Sequence, residues 1–361
     1  MTPAAAPVER FTMDCNEVIG KRRTAATVKP LPEHTPRAPA GYWDCAEISL
    51  ALSPDAPAQF QVQQRRGSLL AFVGPRAGRP QAVIKVYGDS RGFQNAYLGL
   101  NLAAAVSDSF SQVRSPTILQ TIRHLHTIVM EYVEGVTVRS VIRRQHGIPP
   151  QSHLSAARSL GQWLSRFHRS RYQTSTSNDH VDRYCESVIE SLQKRQRWLG
   201  RSRYNTGLGI VETIRKSLHC RTKLLVQCHG DFTVGNIIAA DDNLCVIDFA
   251  DSGLGFPELD LASLRVSLRR AAGTLPSSKA AVETLWSTFM AGYDGEHRIE
   301  VDAMVSDLCE LYLLTVSLTE LFDYPSLGPL KKLRKSYLFL QTLRDLRSWL
   351  DERADGYGVA D

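Results

Sequence analysis

The sequence predicts an α+β chain of two lobes, a small and mostly antiparallel sheet followed by a larger helical lobe. Three observations carry this expectation. Short apolar and polar runs over residues 60–87 and 117–132, broken by turn residues, have the texture of half-buried strands. Beyond Gly135 the apolar spacing changes to that of helices. Within this helical region a short hairpin pattern intervenes, Ile237-Ile238-Ala239-Ala240 and Leu244-Cys245-Val246-Ile247 around the polar turn Asp241-Asp242-Asn243.

Taken in order, residues 1–41 are rich in Ala, Pro and isolated charges without a sustained period, and are expected to be a partly disordered extension. The sheet lobe is expected over 42–133. Its strands are Phe60-Gln61-Val62-Gln63, Leu69-Leu70-Ala71-Phe72-Val73 and Ala82-Val83-Ile84-Lys85-Val86-Tyr87, separated by turns at Arg65-Arg66-Gly67-Ser68 and 74–80. A helix over 91–106 follows, then two further strands over 117–122 and 127–132. The helical lobe is expected over 134–361, with helices at 154–168, 181–199, 208–218, 261–270, 280–293, 301–322 and 330–349. No internal repeat stands out.

A chain of 361 residues with 43% hydrophobic content can bury a sizeable core. The most apolar helical stretch, 308–322, contains Glu310 and Glu320 and falls short of about 18 uninterrupted apolar residues, so no stable membrane insertion is expected. The N-terminus lacks a basic region followed by an apolar core, which points to the cytoplasm. Seven scattered cysteines without a C-x-x-C pair argue against a disulfide framework or a zinc site. The net charge of +6 is not arranged as a basic stripe interleaved with aromatics, so nucleic acid is not an expected partner.

The hairpin carries the chemistry. Folding it brings Asn236, just before the first strand, beside Asp248, just after the second. An amide carbonyl and a carboxylate held together are hard oxygen donors suited to Mg²⁺ carrying nucleotide phosphates. Asp231 lies one loop away, free to face a substrate hydroxyl.

The run His229-Gly230-Asp231, Asn236, Ile247-Asp248-Phe249 and then Gly253-Leu254-Gly255-Phe256-Pro257-Glu258-Leu259-Asp260-Leu261-Ala262 resembles the signature of the aminoglycoside phosphotransferase and choline kinase branch of the protein-kinase-like fold. The order of elements agrees from about residue 59 onward. The resemblance implies ATP and Mg²⁺ as cofactors and transfer of the γ-phosphoryl group to a hydroxyl. It makes 229–236 the catalytic loop, with Asp231 the catalytic base. It makes 247–251 the metal-binding segment, with Asn236 and Asp248 as ligands. Lys85 in Ala82-Val83-Ile84-Lys85 matches the strand lysine that contacts the α- and β-phosphates. Ser68 occupies the turn where a phosphate-covering loop belongs, although Arg65-Arg66-Gly67-Ser68 is not G-x-G-x-x-G. Main-chain groups of Glu131 and Val133, in the stretch 128–135 that resembles the hinge between lobes, are expected to bind the adenine edge. His229 reads as a support for the loop, and Asp260 as a helix cap tied to it. Asp251 either touches a second metal or pairs with a nearby base.

One departure stands out. Kinase-like proteins pair the strand lysine with a glutamate on the first helix, yet the acids between Lys85 and Glu131 are Asp89 and Asp108, neither central in that helix. The lysine is then held by an amide or a displaced Asp, or the active conformation depends on another partner, or the enzyme is weakened. The acceptor is open between a small-molecule or saccharide hydroxyl and an antibiotic such as an aminoglycoside. Arg265, Arg269 and Arg270, if they faced the acceptor, would suit a neutral or anionic one. A catalytically silent nucleotide-binding module is the alternative of another class, and oligomeric state is left open.

Overall fold

The computed structural model describes residues 58–65, 68–75, 81–144, 149–240, 243–273, 276–296, 299–322 and 329–359. The extension expected over 1–41 and the turn residues 66 and 67 lie outside them. A meander of β1 (Ala58–Arg65), β2 (Ser68–Pro75) and β3 (Ala82–Tyr87) leads into α1 (Ser90–Ser107). After the two-residue strand β4 (Val113–Arg114) come β5 (Ile118–Ile122) and β6 (Thr127–Glu131). The five-stranded sheet has the order β1-β2-β3-β6-β5, antiparallel throughout, as the alternating runs predicted.

Period-two alternation gives β3 two different faces. Ile84 and Val86 pack with Ala71, Val73, Ala82 and Val129 on one side. Tyr87, with Ile128 and Met130 of β6, joins the core beneath α1 on the other, and Lys85 shares that face by its place between Val83 and Tyr87. The α1 helix is capped by the Asp89 carboxylate, which accepts from the Gly92 amide at 2.7 Å. Its buried stripe is Phe93, Ala96, Leu100 and Ala103, at helical spacing.

The helical lobe begins with β7 (Val136–Thr137), α2 (Val138–Arg144) and α3 (Gln151–Arg169), then β8 (Tyr172–Ser175), α4 (Asp179–Leu199) and α5 (Arg201–His219). Strand β9 (Lys223–Cys228) runs into the loop 229–236, followed by the hairpin of β10 (Ile237–Ala240) and β11 (Asn243–Val246) and by β12 (Gly253–Gly255). Four helices complete the chain: α6 (Pro257–Ala272), α7 (Pro276–Glu296), α8 (Ala303–Phe322) and α9 (Pro329–Ala354). Two small sheets, β4-β11-β10-β7 and β12-β9-β8, contain the strands on either side of the loop 229–236. Among the described residues no helix is long and apolar enough to cross a membrane, and Cys185, Cys220, Cys228, Cys245 and Cys309 are free thiols.

Two apolar cores divide the work. One joins the inner face of the sheet, α1, α3, the hairpin and α7 around Trp163, Phe167, Phe232 and Phe249. Each of these buried Phe side chains stabilises by about 2–3 kcal/mol through removal from water. The second core joins α4, α5, α8 and α9 against the opposite side of α6. Close backbone approach sets the α3 and α7 crossing: a Cβ on Gly161 would lie 2.1 Å from the Phe289 carbonyl oxygen, and one on Gly292 2.1 Å from that of Arg158. The lobes are stitched together around α1. Trp163 Nε1 donates to Ser107 Oγ at 3.0 Å, Ser159 Oγ to Gln112 Oε1 at 2.7 Å, and β4 pairs in parallel with β11 of the hairpin.

Candidate active site

The site is built around the loop 229–236, whose shape is imposed by Asp260. That side chain is fully buried in the first turn of α6; the position preceding the helix is Phe256, so Asp260 is not the helix cap expected from sequence. Its carboxylate accepts from the backbone amides of His229 at 2.6 Å and Gly230 at 2.9 Å. His168 Nε2 of α3 lies 3.1 Å from Asp260 Oδ2, and His168 Nδ1 lies 2.8 Å from the Tyr293 hydroxyl of α7. A buried carboxylate satisfied by several donors is a rigid strut. The atoms of His168, Cys228 and Asp260 lie within 4.8 Å of one another, a spacing that would suit a metal. Here each already has a protein partner, the Cys228 thiol donating to the Phe256 carbonyl at 3.2 Å, and burial holds that thiol well above its ordinary range.

His229 follows the supporting role expected of it. The ring is buried, burial lowers its pKa, and the neutral form fits both contacts: Nε2–H donates to the Ile247 carbonyl at 3.0 Å while Nδ1 accepts from the Asp231 amide at 3.3 Å. One side chain thus links the catalytic loop to the segment that carries Asp248. Gly230, at φ +86°, lets the loop pass the backbone of Asp251; a Cβ there would meet the Asp251 carbonyl oxygen at 2.2 Å.

Asp231 leaves this scaffold with an exposed carboxylate. Protein atoms crowded around it push it up to about 6, against the hydrogen bond from Asn236 and with help from the charges of Asp248, Asp251 and Asp260. Asn236 Nδ2 donates to Asp231 Oδ2 at 2.7 Å and to the Asp231 carbonyl at 2.9 Å. Both amide protons being turned to Asp231, the Asn236 carbonyl Oδ1 is the atom left for a cation. The hairpin performs the juxtaposition predicted for it: Ile237 faces Val246, and the Ile247 amide donates to the Asn236 carbonyl at 2.9 Å, placing Asp248 next in line.

Asp248 adopts φ +68°, a left-handed conformation unusual for a residue with a side chain and characteristic of sites that aim a group under constraint. Lys85 Nζ lies 2.5 Å from Asp248 Oδ1 across 163 residues of sequence. Burial pushes the Asp248 carboxyl up, but the lysine beside it wins and holds it below its ordinary value. Lys85 is 5% exposed, and its Nζ lies 5.0 Å from the centroid of the Tyr87 ring. The lysine partner that the sequence left unresolved is therefore Asp248. Helix α1 approaches through backbone: a Cβ on Gly99 would lie 2.7 Å from Ser252 Oγ and 3.0 Å from Phe249 Cβ. Asp89 is occupied as the α1 cap, and Asp108 lies beyond the helix C-terminus.

The remaining expected residues are more peripheral. Ser68 pairs with Tyr87 in the sheet register, on the face that carries Lys85, two residues along the strand. Its neighbours 66 and 67 lie outside the described residues. Glu131 ends β6, its side chain paired with Arg114 and its amide donating to the Thr117 carbonyl at 3.0 Å. Val133 is buried just after it. Arg265, Arg269 and Arg270 are committed to helix packing: Arg265 lies over the Trp286 ring, Arg269 pairs with Glu310 at 3.0 Å, and Arg270 donates to Ser317 at 2.8 Å. They supply no argument about the acceptor. Sequence reading missed His168, Tyr293 and Tyr87; of these, Tyr87 carried a signal, its place two residues from Lys85 on one strand.

No curated protein sequence matches the chain. Among solved structures, a mutant of an aminoglycoside 2'-phosphotransferase in complex with GDP superposes with a TM-score of 0.56 at 12% identity, over 87% of this chain and 98% of that one. A glucosamine kinase in complex with glucosamine, ADP and inorganic phosphate superposes with a TM-score of 0.54 at 15% identity, over 86% and 80%. At such identities the likeness is one of fold, the two-lobed kinase-like architecture. The model of the phosphotransferase enzyme family, APH, matches residues 95–296, from α1 through the catalytic loop to the end of α7. The chain belongs to that phosphotransferase family.

Proposed function

We propose that the protein transfers the γ-phosphoryl group of ATP to a hydroxyl of a small-molecule or saccharide acceptor. The observation that supports this most is the convergence of two pairs, Asn236 with Asp231 and Lys85 with Asp248, joined through the Ile247 amide and the Asn236 carbonyl. Asp231 acts on the acceptor. With its pKa near 6 it is ionised at neutral pH and better matched to accept a hydroxyl proton than an ordinary carboxylate, while its fixed position orients the attacking oxygen. Lys85 supplies positive charge to the nucleotide phosphates, and Ser68 contacts them. Main-chain groups near Glu131 and Val133 hold the adenine edge.

The donor set fits Mg²⁺. Asn236 Oδ1 and the Asp248 carboxylate are hard oxygens, and the ammonium of Lys85 already sits on Asp248 as a cation would. These two residues would hold the ion, which neutralises charge on the phosphates when bound. The departure that motivated a silent module, a lysine without a helix glutamate, is met by the Lys85–Asp248 pair. An antibiotic such as an aminoglycoside stays in play as acceptor. The test is ADP release with Mg²⁺ and ATP across a panel of aminoglycosides, macrolides, choline and sugars, repeated with Asp231→Ala. Turnover with one acceptor class that vanishes in the variant supports the reading; ATP binding without turnover on any acceptor favours the silent module.

A further inference from the structure

We propose that Tyr87 is a positioning residue for Lys85, acting beside Asp248 where α1 supplies no acid. This rests on the assignment of Lys85 to the nucleotide phosphates. Lys85 and Tyr87 are two apart on β3 and so share a face. Both are nearly inaccessible, at 5% and 4% exposure. The ammonium lies 2.5 Å from Asp248 Oδ1 and 5.0 Å from the centroid of the Tyr87 ring.

The ring is itself held from α1. Phe93 meets it edge to face at 6.3 Å, while the backbone at Tyr87 is fixed separately, its amide donating to the His126 carbonyl at 3.0 Å. Gly92 leaves room beside it, the nearest ring atom lying 3.7 Å from where a Cβ would stand. Helix α1 therefore reaches the lysine through Phe93 and Tyr87. An aromatic face attracts a buried ammonium without cancelling its charge, whereas a helix carboxylate would neutralise part of it. When phosphates enter, Lys85 meets them with Asp248 as its carboxylate neighbour and the ring restricting its rotamers.

The full chain is tested by calorimetric titration with Mg²⁺ and a non-hydrolysable ATP analogue, and separately with adenosine, in Tyr87→Phe, Tyr87→Leu, Lys85→Met and the Tyr87→Leu/Lys85→Met pair. Thermal unfolding is recorded for each, and Tyr87→Ile replaces Tyr87→Leu if the latter does not fold. Tyr87→Phe keeps the ring and should bind both ligands within about twofold of the parent. Tyr87→Leu should bind the triphosphate about tenfold more weakly and adenosine unchanged, and the double variant should bind like Lys85→Met alone. Undiminished triphosphate binding by Tyr87→Leu, equal weakening by Tyr87→Phe, or a parallel loss of adenosine binding overturns the proposal. Lys85→Met with unchanged triphosphate binding overturns the phosphate role of Lys85, and the role of Tyr87 with it.

Discussion

The loop at 229–236 and the first turn of α6 each carry an aspartate, and the fold treats the two in opposite ways. Asp260 is fully buried and accepts from the His229 and Gly230 amides, with His168 Nε2 at 3.1 Å. Asp231 is open to solvent, has the Asn236 amide as a side-chain donor, and titrates near 6. Hydrogen bonds concentrated on one carboxylate fix the loop; protein atoms crowded around the other push it up to about 6. The two aspartates stand far apart in sequence yet are joined through two consecutive amides, those of His229 and Gly230.

The sharpest test of this contrast is Asp231→Asn. It should lower turnover by about 10²–10⁴-fold in the ADP-release assay once an acceptor is known. It should also leave the fold intact. A carboxyl raised from 3.8 to about 6 binds its proton more tightly in the folded state, so stability falls as pH rises through that window. The Asn variant escapes that fall and should melt no lower than the parent at pH 8. A variant that unfolds would erase the distinction between the two aspartates. The rate in the parent should decline as pH drops below about 6, where Asp231 becomes protonated, and a flat profile down to pH 5 would remove it as base.

Asp260→Ala should do the reverse. Two buried amides lose their acceptor, each at about 1–3 kcal/mol, so a loss of about 3–5 kcal/mol is expected in denaturant titration. Gly99→Ala should destabilise by about 1–3 kcal/mol despite the better helix propensity of Ala, because its methyl meets Ser252 and Phe249; a stabilised variant would show that α1 can withdraw from the metal-binding segment.

Glu258 supplies an intermediate case. It is buried beside Asp260, accepts from the Asp302 amide at 2.8 Å, and is pushed up to about 7 by burial. Its folded pKa exceeds its unfolded one, so its contribution is full below pH 4.5 and is lost as pH rises toward 7. Glu258→Gln should raise the melting temperature by a few degrees at pH 8 and leave it unchanged at pH 4. The exposed pair Lys194–Glu190 sets the floor: Lys194→Ala should shift stability by less than about 0.5 kcal/mol.

The parts of this arrangement legible in the sequence are those with a local period or a local turn. The strands β1, β2, β3, β5 and β6 and the hairpin of β10 and β11 lie where alternation and polar turns put them, so Asn236 and Asp248 could be placed together from spacing. Elements of two or three residues, β4, β7 and β12, are too short to show a period, and α2 spans seven residues. Strand β9, Lys223-Leu224-Leu225-Val226-Gln227-Cys228, carries no alternation of apolar and polar residues. The Lys85–Asp248 pair, 163 residues apart, and the contact of Gly99 with Ser252 depend on how the lobes dock. The left-handed backbone of Asp248 likewise follows from the surrounding structure and not from its residue type.

Gly135 limits how the sheet can swing along the connection that follows β6. At φ +151°, a Cβ on Gly135 would stand 2.3 Å from the Ala239 carbonyl oxygen, so the chain is pressed against the hairpin there. Tyr132, three residues earlier, still belongs to the sheet through its amide bond to the Gln81 carbonyl at 3.0 Å. Only Val133 and Glu134 lie between these two contacts, so the connection that sets the sheet carrying Lys85 against the hairpin preceding Asp248 is two residues long.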